Sequence, residues 1–172
     1  MAFEQNPYAV KITLVADASS AISNFTASQA GTYVPLQTQF TFVKMATASA
    51  VNYNASGTVA TAVSALTDRP IGILQNQPRV YFQAGATAGN VLVEGVSEAE
   101  VTVSGVTKVV AGATFNAGAP ITTDTSGRAI AIVAGSTAGT AAYILGTALT
   151  SATAVGDIVT VAISCSAAGR GA

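Results

Sequence analysis

Apolar runs in this chain are stopped within a strand's length by a glycine, a proline or a cluster of hydroxyl residues, and that punctuation excludes most folds. The longest uncharged stretch, residues 129–156, is broken by Gly135, Gly139 and Gly146 and by seven serines and threonines. A membrane helix needs about 20 consecutive apolar residues. The stretch therefore reads as strand-sized pieces, and no membrane partner is expected. Pro120-Ile-Thr-Thr leads into Asp124-Thr-Ser-Gly127 and then Arg128-Ala-Ile-Ala-Ile132. Asp124 is placed to accept bonds from backbone donors ahead of it, and Gly127 can take a positive φ, so the segment is expected to be a hairpin.

Other strands follow from the same signals. Pro70 has no donor to give a ladder and suits a strand's first residue or an edge. Gly72, inside Ile71-Gly72-Ile73-Leu74, marks a bulge or a close backbone approach. Val91-Leu92-Val93 is expected to be a buried strand ended by Glu94-Gly95. Val101-Thr-Val103-Ser and Thr107-Lys108-Val109 alternate, and Phe40 and Phe42 are expected on one strand face. Residues 58–66 have apolar spacing that suits a short helix, while their threonines and valines suit a strand. Ile71-Gly72-Ile73-Leu74 with Gly89–Val93 is echoed by Leu145-Gly146-Thr147-Ala148-Leu149 with Gly156–Val161, as two similar strand pairs. The fold class expected is all-β: a small β-barrel or β-sandwich of short strands with an N-terminal arm.

Residues 1–38 read differently from residues 39–172. Val10, Ile12 and Leu14 alternate weakly, and residues 17–31 are rich in Ser, Ala and Asn with little period. We expect an arm with at most one or two strands, anchored by Phe3 and Tyr8, ahead of a β-rich domain over 39–172. The first eight residues lack the basic start and apolar run of a secretion signal.

Composition sharpens this picture. Half of the 172 residues are apolar, 9% are charged, and there is no Trp. The mean residue mass, 17.0 kDa over 172 residues, is about 99 Da, because the apolar half is mostly Ala and Val. Burying one methylene gives roughly 0.8 kcal/mol, against roughly 1.5–3 kcal/mol for a whole Leu or Phe side chain. Ordering each residue's backbone costs about 1–2 kcal/mol. Further burial at a subunit interface would help such a chain. Its seven basic residues are scattered and the net charge is −1, so no basic stripe for nucleic acid can be assembled. The lone Cys165 excludes an intrachain disulfide and is expected to be a small buried hydrophobe.

Reactive chemistry is missing by side-chain class. The chain has no histidine, which removes the usual general base, the usual metal ligand and every Ser–His or Cys–His nucleophile. Glu98 and Glu100 are expected to form a solvated acidic patch, and Asp68 with Arg69 and Asp124 with Arg128 to form turn and surface ion pairs. No phosphate loop and no zinc-type spacing occurs. The expectation is a non-enzyme with no catalytic, metal or cofactor-binding residues.

Three phrases carry a family likeness: Arg69-Pro-Ile-Gly-Ile-Leu-Gln-Asn-Gln-Pro78, Ala88-Gly-Asn-Val-Leu-Val-Glu-Gly-Val96 and Ala117-Gly-Ala-Pro-Ile-Thr-Thr-Asp-Thr-Ser-Gly-Arg-Ala129. In this order they resemble the small Gly/Ala-rich all-β cement, or head-decoration, proteins of tailed-phage capsids, over residues 39–164. The resemblance implies a structural virion protein on the outer capsid surface. Such a protein binds the major capsid protein, commonly as a homotrimer at three-fold positions. A cell-surface or carbohydrate-binding β-module is the alternative from another class, disfavoured because no Trp is present for a sugar platform. A tail-tube or fibre subunit is the alternative within the structural class.

Overall fold

The computed structural model describes residues 9–16, 25–27, 33–35, 39–45, 59–63, 65–76, 98–132, 143–165 and 169–170. Among the described residues regular structure is almost all strand, and no α-helix occurs. In chain order the strands are β1 (Val10–Ala16), β2 (Phe25–Ala27), β3 (Tyr33–Pro35), β4 (Phe42–Met45), β5 (Val59–Ala62), β6 (Gly72–Leu74) and β7 (Glu98–Val110). They continue as β8 (Pro120–Thr123), β9 (Ala129–Ala131), β10 (Tyr143–Ile144), β11 (Gly146–Ala148), β12 (Ile158–Ser164) and β13 (Gly169–Arg170).

Nine of these make one sheet in the order β1-β5-β4-β6-β7-β12-β11-β8-β9, while β2–β3 and β10–β13 are separate pairs. β1 also pairs with β7, so β1, β5, β4, β6 and β7 form a hydrogen-bonded ring. Its pairings are antiparallel except β1–β5. Beyond β7 the sheet curls through β12, β11, β8 and β9 until Ala129 bridges back to Ala111. There the Gly112 N–H donates to the Ala129 carbonyl at 2.7 Å. The fold is a barrel-shaped, nearly closed sheet, which leaves few open edges.

β7 is the strand that serves both halves. Its register with β1 jumps from Lys11↔Thr102 to Val10↔Ser104, leaving Val103 as an extra residue. One extra residue inverts the face that each later side chain takes. Val101 therefore packs in a smaller core with Val43, Leu74 and Ala99, whereas Val109 packs in the larger core with Phe42, Ile73, Ile121, Leu145 and Val161. The strand also bends. Leu74 pairs with Val101, its carbonyl accepts the Phe40 N–H at 2.7 Å, and the Phe40 carbonyl accepts the Val110 N–H at 2.8 Å. In a straight strand residues 101 and 110 would lie about 30 Å apart.

β4 and β6 separate the two cores. Adjacent residues point to opposite faces, so Phe42 and Ile73 enter the larger core while Val43 and Leu74 enter the smaller one. A strand buried on both faces reads as an unbroken apolar run, which is why Ile71-Gly-Ile-Leu74 shows no alternation.

Several expectations change. Phe40 is not on a strand: it sits in a turn at φ 63°, a left-handed conformation that is strained for a bulky residue. The two alternating segments around Val101 and Thr107 are one continuous β7. The helix-or-strand ambiguity over 58–66 resolves to β5 followed by a turn in which the Asp68 N–H bonds the Ala65 carbonyl. β5 lies between β1 and β4. Among the described residues of 1–38 three strands occur, where the sequence suggested at most two, and β1 belongs to the ring, with Leu14 packed on the smaller core. The echoed pair around Gly146 is β11–β12, whereas β6 pairs with β4 and β7. The expected 91–93 strand with Gly95, and the anchors Phe3 and Tyr8, lie outside the described residues.

Candidate functional site

The Asp124 turn is built by one carboxylate. Asp124 Oδ1 accepts the backbone N–H groups of Ser126 and Arg128, each at 2.8 Å. Asp124 Oδ2 accepts Arg128 Nε and Nη2, also at 2.8 Å. Gly127 has φ 75°, its N–H donates to the Asp124 carbonyl at 3.1 Å, and its own carbonyl accepts the Phe42 N–H at 2.7 Å. A Cβ at Gly127 would stand 2.7 Å from the Phe42 carbonyl oxygen. The turn that closes β8–β9 is thereby also bolted to the start of β4.

The Ile-Gly-Ile-Leu-Gln-Asn phrase is a second joint. A Cβ at Gly72 would overlap the Thr102 carbonyl oxygen and crowd the Val101 side chain, so the strands meet at backbone distance. A Cβ at Gly146 would likewise overlap the Ala162 carbonyl. Gln75 donates its backbone N–H to the Glu100 carbonyl at 2.7 Å and its side-chain amide to the Ile73 carbonyl at 3.0 Å. Gln75 Oε1 accepts the Thr107 hydroxyl at 3.0 Å. Gln39 Nε2 donates to the Gln75 carbonyl at 2.7 Å, and Asn76 Oδ1 accepts the Glu100 N–H at 2.9 Å. These amides tie β6 to both arms of the bent β7.

The carboxylates whose side chains are described are engaged in the same scaffold. Asp68 pairs with Lys44 at 2.7 Å, a partner the sequence did not suggest, and also accepts the Ala65 N–H at 2.9 Å. Glu100 pairs with Lys11 on an exposed edge of the ring. Asp157 Oδ2 accepts the Thr153 N–H at 2.8 Å, the Thr153 hydroxyl at 2.9 Å and the Ala154 N–H at 2.9 Å. The Ala154 and Thr153 amides, with the Thr153 hydroxyl, hold its carboxyl below the ordinary aspartate value. Burial pushes the Cys165 thiol up to about 12. Among the described residues no three Cys, Asp or Glu side chains gather as a metal site.

One surface stands out as unlike a solvated face. On the side of β7, β12 and β11 away from the larger core, Val106 is 37% exposed, Ile158 58% and Leu149 48%, with Lys108 as the charge among them. Sequence inspection missed this face because Ile158-Val-Thr-Val-Ala-Ile163 is apolar at both parities. Only the register Val106↔Ala162 and Val109↔Val159 tells which residues face out.

No family model matches the sequence, and no curated protein matches it either. Among solved structures, the N base of the head fiber gp8.5 of bacteriophage phi29 aligns at 16% identity. The alignment covers 91% of this chain and 95% of that one, with a TM-score of 0.41.

Proposed function

We propose that this chain is a structural virion protein: a cement or decoration protein that binds the major capsid protein on the outer surface of a tailed-phage head. The observation that carries the reading is where the family-like phrases fall. Their described residues, Gly72, Gln75, Asn76, Asp124, Gly127 and Arg128, are the joints of the scaffold, so the resemblance is to an architecture. Engagement of Asp68, Asp124 and Asp157 in turns favours a protein that works by contact, without catalysis, metal or cofactor.

The mechanism would be thermodynamic. A protein that binds only the assembled shell stabilises it by mass action, and many copies make the effect collective. The exposed apolar face of β7, β12 and β11, with 9% charge overall, supports association with siblings as a homotrimer. The test is to add purified protein to heads that lack decoration and to image them. Saturable density at three-fold positions on the outer surface is expected. Failure to bind heads, or density confined to the tail, would overturn the assignment. Light scattering that gives a monomer at high concentration would remove the trimer, and stoichiometric zinc in the purified protein would remove the metal-free reading.

A further inference from the structure

The edge of β1 that faces away from β7 carries an inference independent of the capsid reading. Backbone groups along a strand address its two edges in alternation. Glu100 of β7 turns to β6, since its carbonyl accepts the Gln75 N–H at 2.7 Å and its N–H donates to Asn76 Oδ1 at 2.9 Å. Ala99 and Val101 therefore address β1, where they pair with Leu14 and Ile12. The N–H and carbonyl groups of Lys11 and Thr13 then point away from β7. Val15, in step with them, meets Val59 of β5 on that side. Among the described residues no strand pairs with this edge before Val15. Val10 and Ile12, on the same face of β1 as Leu14, are 55% and 37% exposed.

We propose that a second copy of this chain occupies the edge, its β1 pairing antiparallel with this β1 about a two-fold axis at Ile12. The register is self-complementary. Lys11 and Thr13 of each copy exchange both backbone bonds with Thr13 and Lys11 of the other, which satisfies the groups that the edge leaves open. Apolar meets apolar on the core face, with Ile12 opposite Ile12 and Val10 opposite Leu14. An axis at Lys11 would set like charges opposite each other, and one at Thr13 would set Lys11 against Val15, whose edge β5 already holds. Lysine commonly guards an open edge, but here the Lys11 ammonium is drawn back toward β7 by Glu100. The contact is isologous and uses a different surface from β7, β12 and β11, so it is compatible with a trimer through those strands.

Cysteine cross-linking of the full chain tests this. At the axis the two Ile12 Cα atoms would stand about 4.5 Å apart as a non-hydrogen-bonded pair, within disulfide reach. The two Val10 residues would lie about 13 Å apart along the strands. Ile12→Cys should therefore oxidise to a covalent dimer, while Val10→Cys, at the more exposed position, should not; Cys165 is buried and does not compete. Thr13→Pro removes a donor that β7 does not use. Added to Ile12→Cys, it should abolish the dimer and leave the circular dichroism spectrum unchanged. In the unsubstituted chain the Lys11 and Thr13 amides should exchange about tenfold more slowly in concentrated than in dilute solution. Absence of an Ile12→Cys dimer, an equal yield from Val10→Cys, or a dimer that survives Thr13→Pro would overturn the proposal. Exchange of both amides that is indifferent to dilution would overturn it as well and, where slow throughout, would assign the edge to a segment of the same chain.

Discussion

Gly127 shows how one residue can hold two elements. Its φ of 75° lies in the left-handed region, and its carbonyl bonds the Phe42 N–H. A valine there would meet backbone strain of about 1–3 kcal/mol, and its Cβ would press on the Phe42 carbonyl. Gly127→Val should lower the melting temperature by about 2–12 °C; an unchanged thermal scan would show that the turn is wrongly described. Thr102 presents the opposite case. It is fully buried and its hydroxyl has no partner among the described residues. A buried unpaired polar group costs about 1–3 kcal/mol, so Thr102→Val should stabilise the protein by about 1 kcal/mol, read from urea midpoints. Destabilisation would show that the hydroxyl is satisfied. Asp157 makes its turn depend on pH. Its folded pKa lies below the unfolded value near 4, so its contribution is present above that value and is lost as pH falls through the folded pKa. The Thr153 and Ala154 amide resonances should titrate with a midpoint below about 4, and Asp157→Asn should abolish that titration. A midpoint at or above the ordinary aspartate value would remove the argument.

At the scale of elements, β1 is the strand whose role the sequence most understated. Residues 1–38 look like an arm because their composition lacks a core period, yet Val10, Ile12 and Leu14 alternate as a strand should. The missing information was long-range: β1 pairs with Glu98–Ser104 of β7 and, in parallel, with β5. Nothing local to residue 10 reveals a partner some 90 positions away. The hairpin of β8 and β9 was legible for the reverse reason, since Asp124, Gly127 and Arg128 encode it within a few positions. Gly72 was legible as a close approach, but its partner, the Thr102 carbonyl, was not. If β1 belongs to the ring, deleting residues 1–16 should lower the melting temperature and expose β-edges of β5 and β7 to aggregation. Deleting residues 1–8 alone should leave the circular dichroism spectrum intact. A 1–16 deletion as soluble and as thermostable as the intact chain would return β1 to the status of a detachable arm.

Across the whole molecule, the two cores share walls and have no boundary at which they could come apart. Phe42 and Val43 are neighbours in sequence but belong to different cores, as do Ile73 and Leu74. β7 passes from one core to the other through the extra residue Val103, and Phe40 bonds β6 to the far end of the same strand. Loss of the smaller core therefore removes one face of β4 and β6, on which the larger core also rests. The described β-domain should unfold in one cooperative transition, with enthalpies from calorimetry and from the van't Hoff slope in agreement. Val101→Ala in the smaller core and Val161→Ala in the larger one should each shift that single transition downward. Each removes two buried carbons, about 1.6 kcal/mol at roughly 0.8 kcal/mol per carbon before any cavity cost. Two resolved transitions, one moved by each substitution, would show instead that the ring of β1, β5, β4, β6 and β7 folds separately from the sheet that curls from β12 to β9.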